Sequence, residues 1–286
     1  MLLRIALLVI GLLLVKPAVA DVKPISPVRM CTNQTDLMRK LALQGKLDVP
    51  PAINSLLINV IDGKLPQVRQ QLGTMNKVDA ARWRQSALII AAYARLSTIV
   101  DSLLDDGALV DGRGSMPGLK RNFHDQIVAD VKKDPKWDST NPDPKTALEL
   151  DELLMFPGGH DAPALSIAVM CDDVKTLDIV FNHHADLEAQ WPKGANLLLL
   201  PIIRGDTVMV QRLIDHGADP SDGLAAATAS GHAAMVQFLL DHGAEPCRAN
   251  LAIRKPGVTV ASLGKSKGLP DSMKKRLVCP TTATMN

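Results

Sequence analysis

Apolar residues recur along this chain at two spacings, one local and one long. Locally they fall three and four apart, as in Val100 with Leu103-Leu104, Leu177 with Phe181, Val210 with Leu213-Ile214, and Val236 with Leu239-Leu240. That spacing predicts short amphipathic helices. Each run ends on the same punctuation: Asp105-Asp106-Gly107-Ala108, Asn182-His183-His184-Ala185-Asp186, Asp215-His216-Gly217-Ala218-Asp219-Pro220 and Asp241-His242-Gly243-Ala244-Glu245-Pro246. A polar pair followed by Gly reads as a last helical turn that leaves through a left-handed residue.

The long spacing links these endings. His184 to Gly217 is 33 residues, Gly217 to Gly243 is 26, and Gly107 to His184 is 77, one 33-residue period plus a 44-residue excess. Nineteen residues before each ending stands a leucine: Leu88, Leu165, Leu198 and Leu224. Counting from these, position +3 is Ala91, Ala168, Pro201 and Ala227, small enough for two helices to approach closely. Position +7 is Gly in two copies, Gly205 and Gly231. Position +12 is Val100, Leu177, Val210 and Val236, and +16 is Leu104, Phe181, Ile214 and Leu240. A degenerate fifth copy starts on Leu56, with Gly63, Val68 and Leu72 in register and Met75-Asn76 in place of Gly-Ala. Such self-similarity marks stacked units that bury their apolar faces against one another. Ile214 and Leu240 are expected at the seam between copies.

The period, with Ser86-Ala87-Leu88-Ile89-Ile90-Ala91-Ala92 and Gly231-His232 followed by Met235-Val236-Gln237-Phe238-Leu239-Leu240-Asp241-His242-Gly243-Ala244-Glu245, resembles the ankyrin-repeat family. No copy carries that family's full Thr-Pro-Leu-His. The resemblance implies an all-α solenoid of about five helix-turn-helix repeats, two over residues 53–111 and three over 161–246, with an insertion at 112–160 and helical caps at both ends. It further implies that inter-repeat fingers and the first-helix surface line a groove that binds proteins.

Residues 1–20 carry Arg4, an apolar run from Ile5 to Val15, Lys16-Pro17, and Ala18-Val19-Ala20 before Asp21, the layout of a secretory signal. The apolar run is too short for a good spanning helix, and nothing later is apolar for long enough. A periplasmic or secreted protein is therefore expected, with no transmembrane segment after signal removal. In the flank 21–52, Thr35 to Leu43 reads as a helix with Thr35 at its N-cap, and we take it as the N-terminal cap.

Charge adds an asymmetry. Without Arg4 and Lys16 the formal charge of +2 falls to zero, so the pI of about 8.3 is no sign of nucleic-acid binding. Residues 246–286 hold eight Lys/Arg against Asp271 alone, a local +7, which leaves −7 on residues 21–245. This basic C-terminal segment suits weak contact with an anionic surface, and equally suits folding back as a cap on its own acidic repeats.

An exported compartment permits disulfides. Cys247 and Cys279 bracket the segment that must cover the last repeat and are the preferred pair. Cys31 and Cys171 pair only if the N-terminal flank runs back along the stack, and otherwise remain thiols. No cysteine spacing resembles a zinc site.

Candidate contact residues follow from aromatic placement. The insertion holds Phe123, Trp137 and Phe156, three of the eight aromatics in the chain, and buried aromatics anchor interfaces; they equally suit a small core of the insertion's own. Trp83 and Trp191 stand where the family places its fingers. His183, His216 and His242 occupy one repeat column about 10 Å apart, the spacing of packed helices, which is too far for shared ligation. Gly264-Lys265-Ser266-Lys267-Gly268 fits a nucleophile-elbow pattern but lacks the sheet that makes one work. Catalytic, cofactor and metal residues are therefore assigned to none. The expectation is a non-catalytic module that binds another exported protein, in its sharpest form an immunity or protective partner of a toxin or enzyme; the alternative is an envelope spacer tethered by its basic tail.

Overall fold

The amphipathic runs fold as helices paired copy by copy. The computed structural model describes residues 27–114, 117, 120–121, 162–187, 196–251, 253 and 256–279, and every regular element among them is an α-helix. Copy one is α2 (Pro51–Ile61) with α3 (Leu65–Gly73), copy two α4 (Lys77–Tyr93) with α5 (Ser97–Asp105), and copy three α6 (Ala164–Met170) with α7 (Val174–Asn182). Copy four is α8 (Leu199–Arg204) with α9 (Thr207–Asp215), and copy five α10 (Pro220–Ser230) with α11 (Ala233–Asp241). Ahead of them lies α1 (Pro27–Leu43); after them come α12 (Pro246–Leu251), α13 (Val260–Ser266) and α14 (Asp271–Arg276). The predicted signal at 1–20 and most of the insertion lie outside the described residues.

Local chemistry sets the helix limits. Asn76, Asp173, Asp206 and Asp219 cap α4, α7, α9 and α10 by accepting a hydrogen bond from a backbone N–H of the first turn. The turn inside each copy is made by position +7, which is left-handed in all five: Gly63 (φ 73°), Arg95 (57°), Asp172 (54°), Gly205 (73°) and Gly231 (72°). Glycine adopts that conformation freely, so copies two and three hold it with side chains that resist it.

Two compact units result, Ile25–Trp191 and Pro192–Asn286. In the first, α4 packs against both α2 and α6, and α5 against α7. In the second, α10 packs against α8, α12 and α13. The +12 column, Val68, Val100, Leu177, Val210 and Val236, is fully buried in every copy, each residue contributing about 1.5–3 kcal/mol by leaving water. The +16 column is less uniform. Leu72, Leu104 and Leu240 are buried, but Ile214 and Phe181 are only half-buried. The fully buried residue of α9's last turn is Leu213, so the seam expected at Ile214 falls one position earlier there.

The N-terminal helix differs from the sequence reading in extent and placement. It begins at Pro27, a residue suited to a first turn, and Thr35 is not its cap. Thr35 lies mid-helix with its hydroxyl donating to the carbonyls of Cys31 and Thr32. Cys31, Thr35, Met38 and Ala42, with Leu41, form one buried stripe at helical spacing. This face meets α2 and α4, and Cys31 is disulfide-bonded to Cys171 at the end of α6, with Cα atoms 5.7 Å apart. The flank thus runs along the first helices of three copies rather than capping copy one alone.

The C-terminal segment is a further helix pair in repeat register. Counting from Ala261, position +3 is Gly264, +7 is left-handed Gly268 (φ 68°), +12 is Met273 and +16 is buried Leu277. α13 packs on α10 and α14 on α11, as neighbouring copies do. A Cβ on Gly264 would lie 2.8 Å from Leu277 Cδ1, so the small-residue rule at +3 holds here too. Cys247 and Cys279 are bonded, Cα atoms 4.9 Å apart, and close this pair onto copy five.

Candidate partner-binding surface

Of the five aromatic candidates, Trp83 lies among the described residues; Phe123, Trp137, Phe156 and Trp191 lie outside them. Trp83 is not on a finger loop. Copy two's first helix starts at Lys77, eleven residues before its register Leu88, so the stretch expected to turn as a finger is helical. Asn76 makes this possible, since its Oδ1 accepts from the Asp79 N–H at 3.0 Å while its Nδ2 donates to the Asp79 carboxylate at 2.6 Å. No Gly or Pro interrupts Lys77 to Tyr93, a signal that could have identified the longer helix.

This extension is exposed on its outer side. Val78 is 78% exposed, Trp83 half-buried, and the Arg82 guanidinium sits 5.1 Å from the Trp83 ring centroid, a cation–π distance. Gln85 fastens the extension to the loop after copy two. Its Nε2 donates to the carbonyls of Leu109 (3.0 Å) and Gly112 (2.8 Å), and its Oε1 accepts from the Leu109 N–H (2.9 Å). Leu109, held this way, is 70% exposed. Gly114 then passes against α4, where a Cβ would lie 2.7 Å from the Gln85 carbonyl oxygen; only glycine fits so close an approach. Val78 and Leu109 are thus exposed on the side of the helix that Gln85 faces, while Trp83, five residues after Val78, lies with Arg82 on its flank. Exposed side chains of this type are those that interfaces between proteins bury.

The histidine column behaves as repeat architecture with one addition. His242 stacks on Phe238 at 4.1 Å between centroids, with Nδ1 2.8 Å from the Phe238 carbonyl oxygen. His183 reaches across to copy two, its Nε2 3.0 Å from Asp101 and 3.9 Å from Asp105. The ligand atoms of Asp101, Asp105 and His183 lie within 4.8 Å of one another. Both carboxylates are exposed, and a hydrogen bond between His183 and Asp101 accounts for the geometry. In the Gly264–Gly268 stretch, Ser266 ends α13 and its hydroxyl donates to the Leu263 carbonyl; the strand-turn-helix of a nucleophile elbow is not there.

Charges of the basic segment meet acidic residues of the repeats. Arg248 lies 2.7 Å from Asp219, and Arg276 lies 2.8 Å from Asp241. Hydrogen bonds from Gln237 and then Arg276 hold the Asp241 carboxyl below the usual carboxylate range. At the other end Arg39 pairs with Asp62 at 2.7 Å, and that bond, with Lys64, holds the Asp62 carboxyl low as well. No helix among the described residues is long and apolar enough to cross a membrane.

Comparison with known proteins agrees with the repeat register. The family model of the ankyrin repeat matches residues 224–251, which cover copy five from Leu224 onward and all of α12. No curated protein matches at a significant level. Among solved structures, the ankyrin repeat domain of Bcl-3, described as a unique member of the IkappaB protein family, is similar at 19% identity with a TM-score of 0.50. The match covers 81% of this chain and 84% of that one, and at that identity it speaks for the fold alone. Ankyrin repeats are in general scaffolds for binding other proteins and not for catalysis. The helix pairing, the registered columns and both matches agree: residues 224–251 match an ankyrin repeat, and the chain has the helical-repeat fold of an ankyrin repeat domain.

Proposed function

We propose that the chain is a non-catalytic protein-binding module of an exported compartment, which holds a partner protein through the Trp83 edge and the insertion 112–160. The observation that carries the binding reading is the Trp83 helix: Val78 and Leu109 are exposed and Trp83 half-buried beside Arg82, on a segment fixed by Asn76 and Gln85. Leaving such groups in water is unfavourable without a use, and rigid presentation lowers the entropy lost on binding. Export is supported by the cysteines, all four of which are in disulfides; such bonds persist in oxidising compartments. In its narrowest form the proposal is an immunity or protective partner that covers the active site of an exported toxin or enzyme. The tethered-spacer alternative is disfavoured because Arg248 and Arg276 pair with the chain's own Asp219 and Asp241.

A pull-down from envelope extract tests this, comparing wild type with Trp83→Ala and with a deletion of residues 115–158. Binding that falls in both, with the far-UV spectrum retained, is the expected result. If both folded variants keep every partner of the wild type, the Trp83 edge and the insertion are not the contact. Recovery of the wild-type chain wholly in the cytosolic fraction would overturn the export reading.

A further inference from the structure

The two disulfides differ in what they leave to solvent. Cys31 and Cys171 are fully buried, whereas Cys247 and Cys279 are both half-buried, so an external thiolate can reach the second bond without the chain first unfolding. That bond also closes a weakly supported part of the unit Pro192–Asn286. It joins residues 32 apart, and the loop it closes contains the whole of α13 and α14. As the last pair of a stack, these helices have a neighbouring copy on one side only, and segments with few packed neighbours open first. Their own burial is slight. α14 buries none of its residues and α13 buries Val260 and Gly264, to which Leu269 and Leu277 add two apolar side chains. Helices this short do not persist alone. Polar ties include the Val260 N–H donating to Asn250 Oδ1 at 2.8 Å and the Arg276–Asp241 pair, exposed on both sides and therefore weak.

We propose that Cys247–Cys279 is a thiol–disulfide exchange site for a protein dithiol, and that its reduction releases α13 and α14 from copy five while Cys31–Cys171 stays closed. A thiolate of the reductant attacks the Cys279 sulfur, forming a mixed disulfide, and Cys247 leaves as a thiolate and takes up a proton. Attack is assigned to Cys279 because it lies beyond α14, next to exposed Val278, while Cys247 lies within α12. The reductant's second thiol loses its proton, attacks its own sulfur in the mixed disulfide and frees Cys279, which is protonated in turn. The dithiol loses two electrons and two protons and becomes a disulfide; the two cysteines gain them. Release bares the face of α10 and α11 beneath the pair, including Thr228, which is fully buried opposite Gly264. The exchange needs no bound partner, so it stands apart from the partner-binding reading.

Dithiothreitol is the probe, added to the full oxidised chain without denaturant, with timed quenching, alkylation and mapping of the labelled cysteines by mass spectrometry. Cys247 and Cys279 should be alkylated at least about tenfold faster than Cys31 and Cys171, because the buried bond waits for a larger opening. With the first bond alone reduced, hydrogen exchange should show residues 260–277 losing at least about tenfold in protection and residues 28–43 unchanged. Reoxidation should restore the lost protection. The double variant Cys247→Ser with Cys279→Ser should show the same local loss without reductant. Equal reduction rates for the two bonds, or full protection of 260–277 once Cys247 and Cys279 are thiols, overturns the proposal. Loss of protection throughout the unit Pro192–Asn286 on reduction, or in the double variant, overturns the claim that the terminal pair leaves alone.

Discussion

Replacing Cys31 and Cys171 together by Ser tests the placement of α1. The bond joins residues 140 apart in sequence, and in the chain-entropy model closing a loop of that length stabilises the folded state by about 5 kcal/mol. A compact denatured state would reduce this, since some of the closure entropy is already lost there. The native contacts predict where the loss appears. Beyond the bond, α1 is held by Met38, Leu41 and Ala42, all buried, and by the Arg39–Asp62 pair, all of them in its C-terminal half. Its N-terminal half has Cys31 and Thr35 as its buried anchors. Hydrogen exchange read by peptide should therefore show residues 28–35 losing protection first, while 38–47 stay closer to wild type. The α4 helix should lose protection next, because α1 packs on it. The global loss is read by urea titration as a fall in the midpoint, with a steeper slope because the denatured chain without the bond exposes more surface. A loss below about 1 kcal/mol, or protection falling evenly along α1, would refute the view that the bond pins one end of a strap.

Three further outcomes are expected. Leu213→Ala should cost about 2–5 kcal/mol because the side chain is fully buried, whereas His216→Ala, at an exposed site, should stay within about 0.5 kcal/mol; both are read by denaturant titration. Asp172→Gly should raise stability by up to about 1 kcal/mol by relieving the left-handed strain at φ 54°, seen as a higher melting temperature, and a fall would mean that its side-chain contacts outweigh the strain. Asp62 ionises more readily in the folded protein than in the unfolded one because Arg39 and Lys64 bond its carboxylate. Its contribution is therefore present above the unfolded value of about 3.9 and is lost as pH falls through the lower folded value. Wild type should exceed Asp62→Asn in stability at neutral pH and converge with it on acidification, with denaturant midpoints taken across that range.

Period and helix spacing were determined by the sequence alone, because they depend on which residues recur at which interval. Leu56, Leu88, Leu165, Leu198 and Leu224 with their +12 partners locate ten helices without any coordinates. Three features needed the tertiary structure. The C-terminal pair was hidden because its register residue is Ala261 instead of Leu, it lies 37 residues after Leu224, and α14 is charged; only packing on α10 and α11 identifies it. Trp83 was placed on a finger by family position, while its helix depends on a local cap at Asn76 and on the Gln85 bonds to residues far along the chain. The partner of Cys31 was open because a disulfide over 140 residues depends on where α1 lies, and that is fixed by which face of α2 and α4 it covers. Spacing along a chain specifies a repeat; which copies have their outer face already occupied is decided by contacts between residues far apart in sequence, and those leave no periodic trace.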